Sequence, residues 1–217
     1  MKARKYWFAS VMVLLLLILL SGCGGGGESV GVSNPDNGAG EVKISSWSKM
    51  PEMSIDPDKS YRAVVKTSMG TFGIKLLAED TPVTVNNFVF LANEGFYEGL
   101  TFHNVIDSFM IQAGDPLGNG TGNAGYRIPD ELDAGATYHE GTVAMFNTGV
   151  PNSGSSQFFI CTGPDAANLN RQPDYAVFGE IDEGMDVVKS IAGVPAKNGK
   201  PVEDVTILSI TIEVKDQ

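Results

Sequence analysis

Residues 102–116 read FHNVIDSFMIQAGDP, and this stretch decides the fold more than any other part of the chain. About forty residues later, residues 156–162 read SQFFICT. Both segments supply large apolar side chains that can build a pocket: Phe102, Phe109, Met110, Phe158 and Phe159. Gln112, Gln157 and Asn147 can add neutral hydrogen bonds at its rim. No Ser-His-Asp set, acid–base pair or metal cluster is evident in the sequence, which favours a reaction that breaks no covalent bond.

The ordered motifs of this chain closely resemble those of the cyclophilins, the peptidyl-prolyl cis-trans isomerases built on an eight-stranded barrel. In the first segment the matching residues are Phe102, His103, Phe109, Met110, Gln112, Gly114 and Asp115. Four further motifs follow at the family's spacing: GTG at 120–122, IPDE at 128–131, PNSGSSQFFI at 151–160 and AVFG at 176–179. The resemblance runs from about Tyr61 to the C-terminus, so it covers the whole globular part of the sequence.

This resemblance implies which residues form the active site. The pocket for the proline ring is expected to consist of Phe109, Met110, Phe159 and Leu169. Gln112 matches the glutamine that orients the substrate, Gln157 a second polar rim position, and Asn147 and Gly120 further substrate contacts. From composition alone, the apolar residues would instead be barrel core, and each polar residue would fit an ordinary loop amide. The resemblance implies no cofactor and no metal.

One departure from the family pattern concerns catalysis itself. The family's catalytic arginine directly follows the Phe-His pair, and this chain has Asn104 there. Asn104 offers a shorter, uncharged donor, so we expect weakened activity. Arg127 is a conceivable substitute, although a solvated surface arginine is the more common role. Two other departures affect ligand preference: Ala167 or Asn168 replaces a tryptophan of many eukaryotic members, and Tyr175 replaces a histidine.

The first twenty-two residues have the features of an export signal. A positive n-region precedes residues 6–20, which are uncharged and strongly apolar. Fifteen helical residues reach only ~22 Å, short of the ~30 Å hydrocarbon core, which disfavours a spanning helix. Residues 20–23, LSGC, match a lipobox, so we expect cleavage before Cys23 and its acylation. An ordinary secretory signal with an incidental cysteine is the alternative.

The chain is thus predicted to have three parts: a lipoprotein signal peptide at 1–22, a flexible tether at 23–58 and a cyclophilin-like isomerase domain at 59–217. The tether is rich in glycine and polar residues, although the piece around Trp47 is apolar enough to pack against the domain. Lipid on Cys23 would hold the exported protein on the extracytoplasmic face of a membrane.

Charge restricts the possible partners. The formal net charge is −11, and loss of the signal's three basic residues makes it more negative. This balance disfavours nucleic acid and anionic lipid head groups. The family resemblance implies proline-containing segments of exported proteins as the partners, and we expect the protein to be a monomer.

The residue pattern of the domain predicts many short strands and two helices. A helix at 81–92 has Thr81 as a candidate N-cap, Pro82 at its first position and Gly95 just beyond its end. A second short helix is predicted at 184–191. We predict a mostly β fold, a closed eight-stranded antiparallel barrel capped by these two helices.

Three residues invite catalytic interpretations that we consider weaker than structural ones. His103 and His139 lack a nucleophile or metal partner and are expected to be hydrogen-bonded structural groups. Cys161 is expected to be a small buried hydrophobe.

The leading functional hypothesis is an anchored isomerase that assists the folding of exported proteins. The alternatives are a catalytically impaired module that binds proline-containing segments as a chaperone or adaptor, and a solute-binding lipoprotein.

Overall fold

The structure, a computed structural model, describes residues 45–132 and 136–215. The predicted signal peptide, Cys23 and the tether up to residue 44 lie outside the described residues.

Ten strands and three helices follow one another along the described chain. The strands are β1 (Ser60–Thr67), β2 (Gly70–Leu76), β3 (Asn104–Ile106), β4 (Met110–Ala113), β5 (Thr142–Met145), β6 (Phe158–Cys161), β7 (Val177–Glu183), β8 (Ala196–Lys197), β9 (Lys200–Pro201) and β10 (Ile207–Lys215). The helices are α1 (Pro82–Asn93), a 3-10 helix (Pro164–Arg171) and α2 (Met185–Ala192). The predicted helices are close to α1 and α2, whereas the 3-10 helix and the β8–β9 hairpin were not predicted.

Eight of these strands form one antiparallel sheet, in the order β10-β1-β2-β7-β5-β6-β4-β3. The sheet curls into a half-barrel that is not closed, so the prediction of a closed barrel is wrong. The two end strands are linked by a single bridge between Thr101 and Thr206 and by loop hydrogen bonds nearby. The short β3 turns its outer edge to the β8–β9 hairpin instead, where Val105 N–H donates to the Gly199 carbonyl at 2.7 Å.

Side-chain alternation gives the central strands two buried faces. In β6, Phe158 and Ile160 point into the main core, while Phe159 and Cys161 belong to a second apolar cluster. This follows from the period of two along a strand, because neighbouring residues face opposite sides of the sheet. Phe102 also lies in the main core. Phe102 and Phe158 are therefore barrel core and do not line the predicted pocket.

Helix α1 closes one side of the core through an aromatic cluster. Phe88 is fully buried, with its ring centroid 5.5 Å from that of Phe158 and 5.2 Å from that of Phe178. Phe158 also meets Tyr97 edge to face at 5.6 Å. Edge-to-face pairs add to the stabilisation that burial provides, so this cluster fixes α1 against the sheet.

The N-terminus of α1 is capped from a distant part of the chain. Thr81 makes no side-chain capping bond, and its hydroxyl donates instead to the Leu77 carbonyl at 3.2 Å. The Glu131 carboxylate accepts the N–H groups of Val83 and Thr84 at 3.0 and 2.7 Å. A negative charge at the positive end of the helix dipole is favourable, so Glu131 performs the role predicted for Thr81.

The described end of the predicted tether packs on the domain. The Trp47 ring lies 5.3 Å from Phe90 of α1, and Ile55 is buried. The packed region therefore begins upstream of the boundary predicted at residue 59. No helix within residues 45–132 and 136–215 has the length and apolar character needed to cross a bilayer.

Phe158→Ala should lower the free energy of unfolding by about 3–5 kcal/mol, because it leaves a cavity among three aromatic rings. Denaturant unfolding of the two proteins measures the difference. Phe158→Leu is the matched control and should cost clearly less. Equal stability of Phe158→Ala and the parent would contradict the placement of this side chain in the core.

Candidate active site

The candidate site lies on the face of β4, β6 and β5 that is turned away from the main core. On this face Gln112 is opposite Phe159 in the ladder, and Met110 is opposite Cys161. Phe159 is in turn opposite Ala144 of β5. The alternation that sends Phe158 inward therefore brings predicted site residues from two distant segments into one row.

An apolar cluster forms the floor and walls of this face. Its buried members are Tyr138, Ala144, Phe159, Cys161, Ala166 and Val177. Its partly buried members are Leu77, Phe109, Met110, Ala136, Phe146, Leu169 and Tyr175. The structure thus brings together all four residues predicted for the proline pocket. Phe109, Met110 and Leu169 keep part of their surface exposed, as residues that receive a ligand must.

Tyr175 packs against two other aromatic rings of this apolar cluster. Its ring meets Phe159 edge to face at 5.2 Å and stacks with Phe146 at 6.4 Å. The Tyr138 hydroxyl holds Tyr175 from behind, because it donates to the Tyr175 carbonyl at 2.7 Å and accepts its N–H at 2.9 Å. Tyr138 was not predicted as a site residue, since nothing in its local sequence indicates this contact.

The segment that carries Leu169 is fixed by two asparagine side chains. Asn170 accepts the N–H of Tyr138 at 2.8 Å and donates to its carbonyl at 2.9 Å. The Asn147 amide donates to the Asp174 carbonyl at 2.7 Å and accepts the Gly149 N–H at 2.9 Å. The Asn147 side chain therefore ties the loop to the segment before Tyr175, and it retains one N–H that these two bonds do not use.

The polar rim is a directed chain of amides. Gln157 donates to the carbonyls of Gly120 and Gly122 at 3.2 and 2.8 Å. Its own oxygen accepts from Gln112 at 2.8 Å, and the Gln112 oxygen accepts from Asn104 at 3.2 Å. Both hydrogens of Gln157 are therefore committed, and this fixes the orientation of every amide behind it.

This amide chain connects four of the predicted site residues: Gln112, Gln157, Asn104 and Gly120. Gln112 and Gln157 are buried, whereas Asn104 is half-buried. Gln112 and Asn104 each retain one N–H that these bonds do not use. The rim can therefore offer neutral donors to a carbonyl of a bound peptide.

Asp115 folds the loop on which the amide chain rests. Its carboxylate is 1% exposed and accepts the N–H groups of Leu117 at 2.7 Å, Asn119 at 2.9 Å and Gly120. The sequence signal for this turn is the run DPLGNG at 115–120, since Asp, Pro, Asn and Gly are the residues of tight turns. The family motif includes Asp115, but its bracing role was not predicted.

Asn104 is confined between two parts of the fold. One end of its amide contacts Gln112, and a Cβ at Gly199 would collide with its Oδ1 atom. Gly199 has φ +82, so both its conformation and this close approach favour glycine. Arg127, by contrast, is exposed between the buried Tyr126 and Ile128, and its side chain extends into solvent.

The two histidines differ in their surroundings. His103 is buried, and neither ring nitrogen has a hydrogen-bond partner among the described residues, contrary to the expectation of a hydrogen-bonded group. Burial lowers the pKa of His103, opposed by the charge of Asp115. His139 is exposed, with its Nδ1 atom 3.1 Å from the Thr142 hydroxyl.

Cys161 is fully buried, as predicted, and burial raises its pKa to about 12. Its thiol therefore stays neutral and unreactive. Within the two described ranges, no three His, Cys, Asp or Glu side chains are grouped so as to hold a metal ion. The chemistry available at the site is apolar contact and neutral hydrogen bonding.

An open antiparallel half-barrel with an apolar face and an amide rim defines a class of site that can hold a ligand by apolar contact and neutral hydrogen bonds, without covalent chemistry. The family model described as cyclophilin type peptidyl-prolyl cis-trans isomerase/CLD matches residues 62–212. The chain belongs to the cyclophilin-type peptidyl-prolyl cis-trans isomerase family.

Individual proteins agree with this assignment. Peptidyl-prolyl cis-trans isomerase B of Streptomyces anulatus is 38% identical over 173 residues, which cover 70% of this chain and 97% of that protein. Peptidylprolyl isomerase domain and WD repeat-containing protein 1 of Mus musculus is 41% identical over 157 residues. That match covers 70% of this chain but 24% of the mouse protein, so the chain spans about a quarter of this relative.

A solved structure gives the same result for the fold. The cyclophilin type isomerase of Cryptosporidium parvum, crystallised in the presence of the dipeptide Ala-Pro, matches with a TM-score of 0.65 and 29% identity. The match covers 70% of this chain and 98% of that one.

The burial of His103 predicts a pH dependence of stability. Because its pKa is lower in the folded than in the unfolded state, unfolding takes up a proton below the unfolded pKa of about 6.5. The free energy of unfolding should therefore fall as the pH decreases from about 7.5 towards 5.5. Denaturant unfolding across this range, with His103→Gln and the exposed-histidine control His139→Gln, measures the effect. His103→Gln should flatten the dependence and His139→Gln should not, whereas equal slopes in all three proteins would contradict the prediction.

Proposed function

We propose that this chain accelerates the isomerisation of X-Pro bonds in exported proteins at a reduced rate, while lipid on Cys23 anchors it to a membrane. The observation that carries the proposal is the amide chain that ends at Asn104, beside the apolar cluster that contains Phe109, Met110 and Phe159. The pocket and the rim supply substrate binding, whereas the family's charged donor is replaced by a neutral one.

The reaction requires stabilisation of a twisted amide. Rotation about an X-Pro bond crosses a barrier of ~18–20 kcal/mol, because resonance gives the C–N bond partial double-bond character. In the twisted state the prolyl nitrogen regains its lone pair. An enzyme lowers the barrier by holding the ring, fixing the flanking backbone and directing donors at the groups that become more basic.

Each requirement has a candidate group at this site. Phe109, Met110 and Phe159 provide apolar surface for the ring. Gln112 can present its remaining N–H to a substrate carbonyl, because Gln157 and Asn104 fix its orientation. Asn104 can turn its second N–H toward the bound peptide, but a neutral bond is about half as strong as a charge-assisted one. Binding is thus complete and transition-state stabilisation is reduced.

The second candidate function, a module that binds proline-containing segments without useful turnover, rests on the same contact. The Asn104 amide already donates to the Gln112 oxygen, and part of its donor capacity is therefore used within the protein. If this holds Asn104 away from the prolyl nitrogen, the pocket would grip peptides and catalyse little. Turnover measurements separate the two candidates.

Asn104→Arg should raise kcat/KM by about one to three decades, because a charged donor bonds roughly twice as strongly as a neutral one. Each ~1.4 kcal/mol of added transition-state stabilisation raises the rate about tenfold. A protease-coupled isomerisation assay on residues 24–217, which include every described residue, measures this ratio. Asn104→Gln is the matched control. It retains a neutral amide and should remain within a fewfold of the parent.

Two further variants complete this test. Phe159→Ala should weaken peptide binding, because it removes a wall of the pocket. Arg127→Ala should leave turnover unchanged, since this side chain extends into solvent. Loss of turnover in Arg127→Ala would identify Arg127 as the missing donor. If the parent and Asn104→Arg both match the uncatalysed rate while proline-containing peptides bind, the protein is a binding module and the proposal of catalysis fails.

The proposed anchor makes a separate prediction about localisation. Acyl chains on Cys23 should place the protein in the membrane fraction, because each buried methylene contributes about 0.8 kcal/mol. Cys23→Ala should release the protein or leave an unprocessed precursor, as fractionation and mass spectrometry would reveal. Cys161→Ala is the control and should remain in the membrane fraction. Recovery of the parent as a soluble, unlipidated cytoplasmic protein would contradict the anchor.

A further inference from the structure

Residues 46–55, here called the strap, cross helix α1 and are held there by a buried side chain. Asn86 is 2% exposed. Its oxygen accepts the N–H groups of Ser54 at 2.8 Å and Ile55 at 3.3 Å, and its amide donates to the Glu52 carbonyl at 3.0 Å. Both ends of a buried amide are thus satisfied by the strap, so loss of the strap would leave polar groups without partners.

The other end of the strap is attached to the loop beside the active site. The Trp47 ring lies 5.3 Å from Phe90 and 5.8 Å from Phe96, and its backbone N–H donates to the Ala124 carbonyl at 2.9 Å. At Gly125, which has φ +92, an added Cβ would collide with Ser46 and lie 2.6 Å from the Trp47 carbonyl oxygen. The strap and the loop therefore touch backbone to backbone.

This loop is also the support of the amide chain. Two residues before Ala124, the Gly122 carbonyl accepts the Gln157 amide at 2.8 Å. Ala124 itself donates its N–H to the Ser155 hydroxyl at 3.2 Å, two residues before Gln157. Ala124 is consequently held from one side by Trp47 and from the other by the segment before β6, which carries Ser155 and Gln157.

Other ties would keep the loop folded if the strap were loosened. The Tyr126 hydroxyl donates to Asn87 of α1 at 2.6 Å, and Glu131 caps the same helix. A change at Trp47 is therefore expected to shift residues 120–125 locally rather than to unfold the domain.

We infer that Trp47 is a positioning residue of the isomerase site, although it does not reach the pocket residues. Asp115 already holds Gly120, and Trp47, by fixing Ala124, positions the Gly122 carbonyl and hence the orientation of Gln157 and Gln112. The inference rests on the proposed function for its catalytic consequence, but its structural part can be measured without turnover.

The test compares Trp47→Ala and Trp47→Phe in residues 24–217. The side-chain amide NMR signals of Gln112 and Gln157 and the Kd of an Ala-Pro peptide are measured well below the Tm of each protein. Trp47→Ala should shift the Gln157 signals and weaken binding about threefold to tenfold, with KM changing more than kcat. Trp47→Phe should keep the Gln157 signals and the Kd close to those of the parent, because an aromatic ring still packs on Phe90 and Phe96.

Val65→Ala, in the centre of β1, is the control. It should destabilise the protein while leaving the strap in place. Val65 is fully buried, and three strands of the sheet separate β1 from β6. This variant should lower the Tm and leave the glutamine signals and the Kd unchanged. If Trp47→Ala does not fold, Gly125→Ala replaces it, since it retains the tryptophan and displaces the strap from the loop.

The outcomes separate this inference from the proposed function. Unchanged Gln112 and Gln157 signals together with an unchanged Kd in the folded strap variant would overturn the inference, whatever the turnover of the parent. Absence of turnover in the parent would refute the catalytic proposal, and shifted glutamine signals would still support the positioning role.

Discussion

The pairing of β4, β6 and β5 is the constraint on which both the fold and the site depend. Each of these strands is covered on both faces, which is uncommon for an antiparallel sheet. One face of β6 buries Phe158 among the core aromatics, and the other places Phe159 beside Met110. A shift of one residue in this pairing would exchange the two faces and destroy the core and the pocket together. The site is therefore as firmly positioned as the centre of the protein.

The polar half of the site obtains its geometry from backbone carbonyls. Side-chain amides can rotate by half a turn and exchange donor and acceptor, so an isolated glutamine has no defined polarity. Here the carbonyls of Gly120 and Gly122 accept both hydrogens of Gln157. The Gln157 oxygen must then accept from Gln112, and the Gln112 oxygen from Asn104, so the donor end of each amide is fixed in turn. The buried carboxylate of Asp115 holds the loop whose carbonyls begin this chain of hydrogen bonds. One charged group thereby orders a rim that is itself neutral.

Sequence patterns predicted those features that depend on local spacing and on family motifs. The positions of β4 and β6 are as predicted, and Phe109, Met110, Phe159 and Leu169 lie in one apolar cluster, because alternation and motif order determine these positions directly. Their contact with a proline ring stays a prediction. The gap in the barrel was not predicted, and the hairpin that lies beside β3 consists of two short strands around Gly199 that carry no alternating pattern.

Contacts between distant segments account for the remaining differences between the predictions and the structure. Thr81 has the composition of an N-cap, but Glu131 caps α1 from 48 residues away, which no local rule can detect. The family resemblance placed Gln112 and Gln157 at the rim, whereas their mutual bond depends on the register between β4 and β6. Trp47 was expected to pack on the domain, but its link to Ala124 joins two segments without regular structure.

The cap on α1 has a consequence for how the chain becomes ordered as it emerges from the ribosome. The helix appears first, and the carboxylate that satisfies Val83 and Thr84 follows 48 residues behind Val83. A twelve-residue helix is only marginally stable alone in water, so α1 stays frayed during this interval. Its core residue Phe88 is then exposed to other unfolded chains, a state that favours aggregation. A protein of an isomerase family thus carries, within its own sequence, a segment that needs protection before folding is complete.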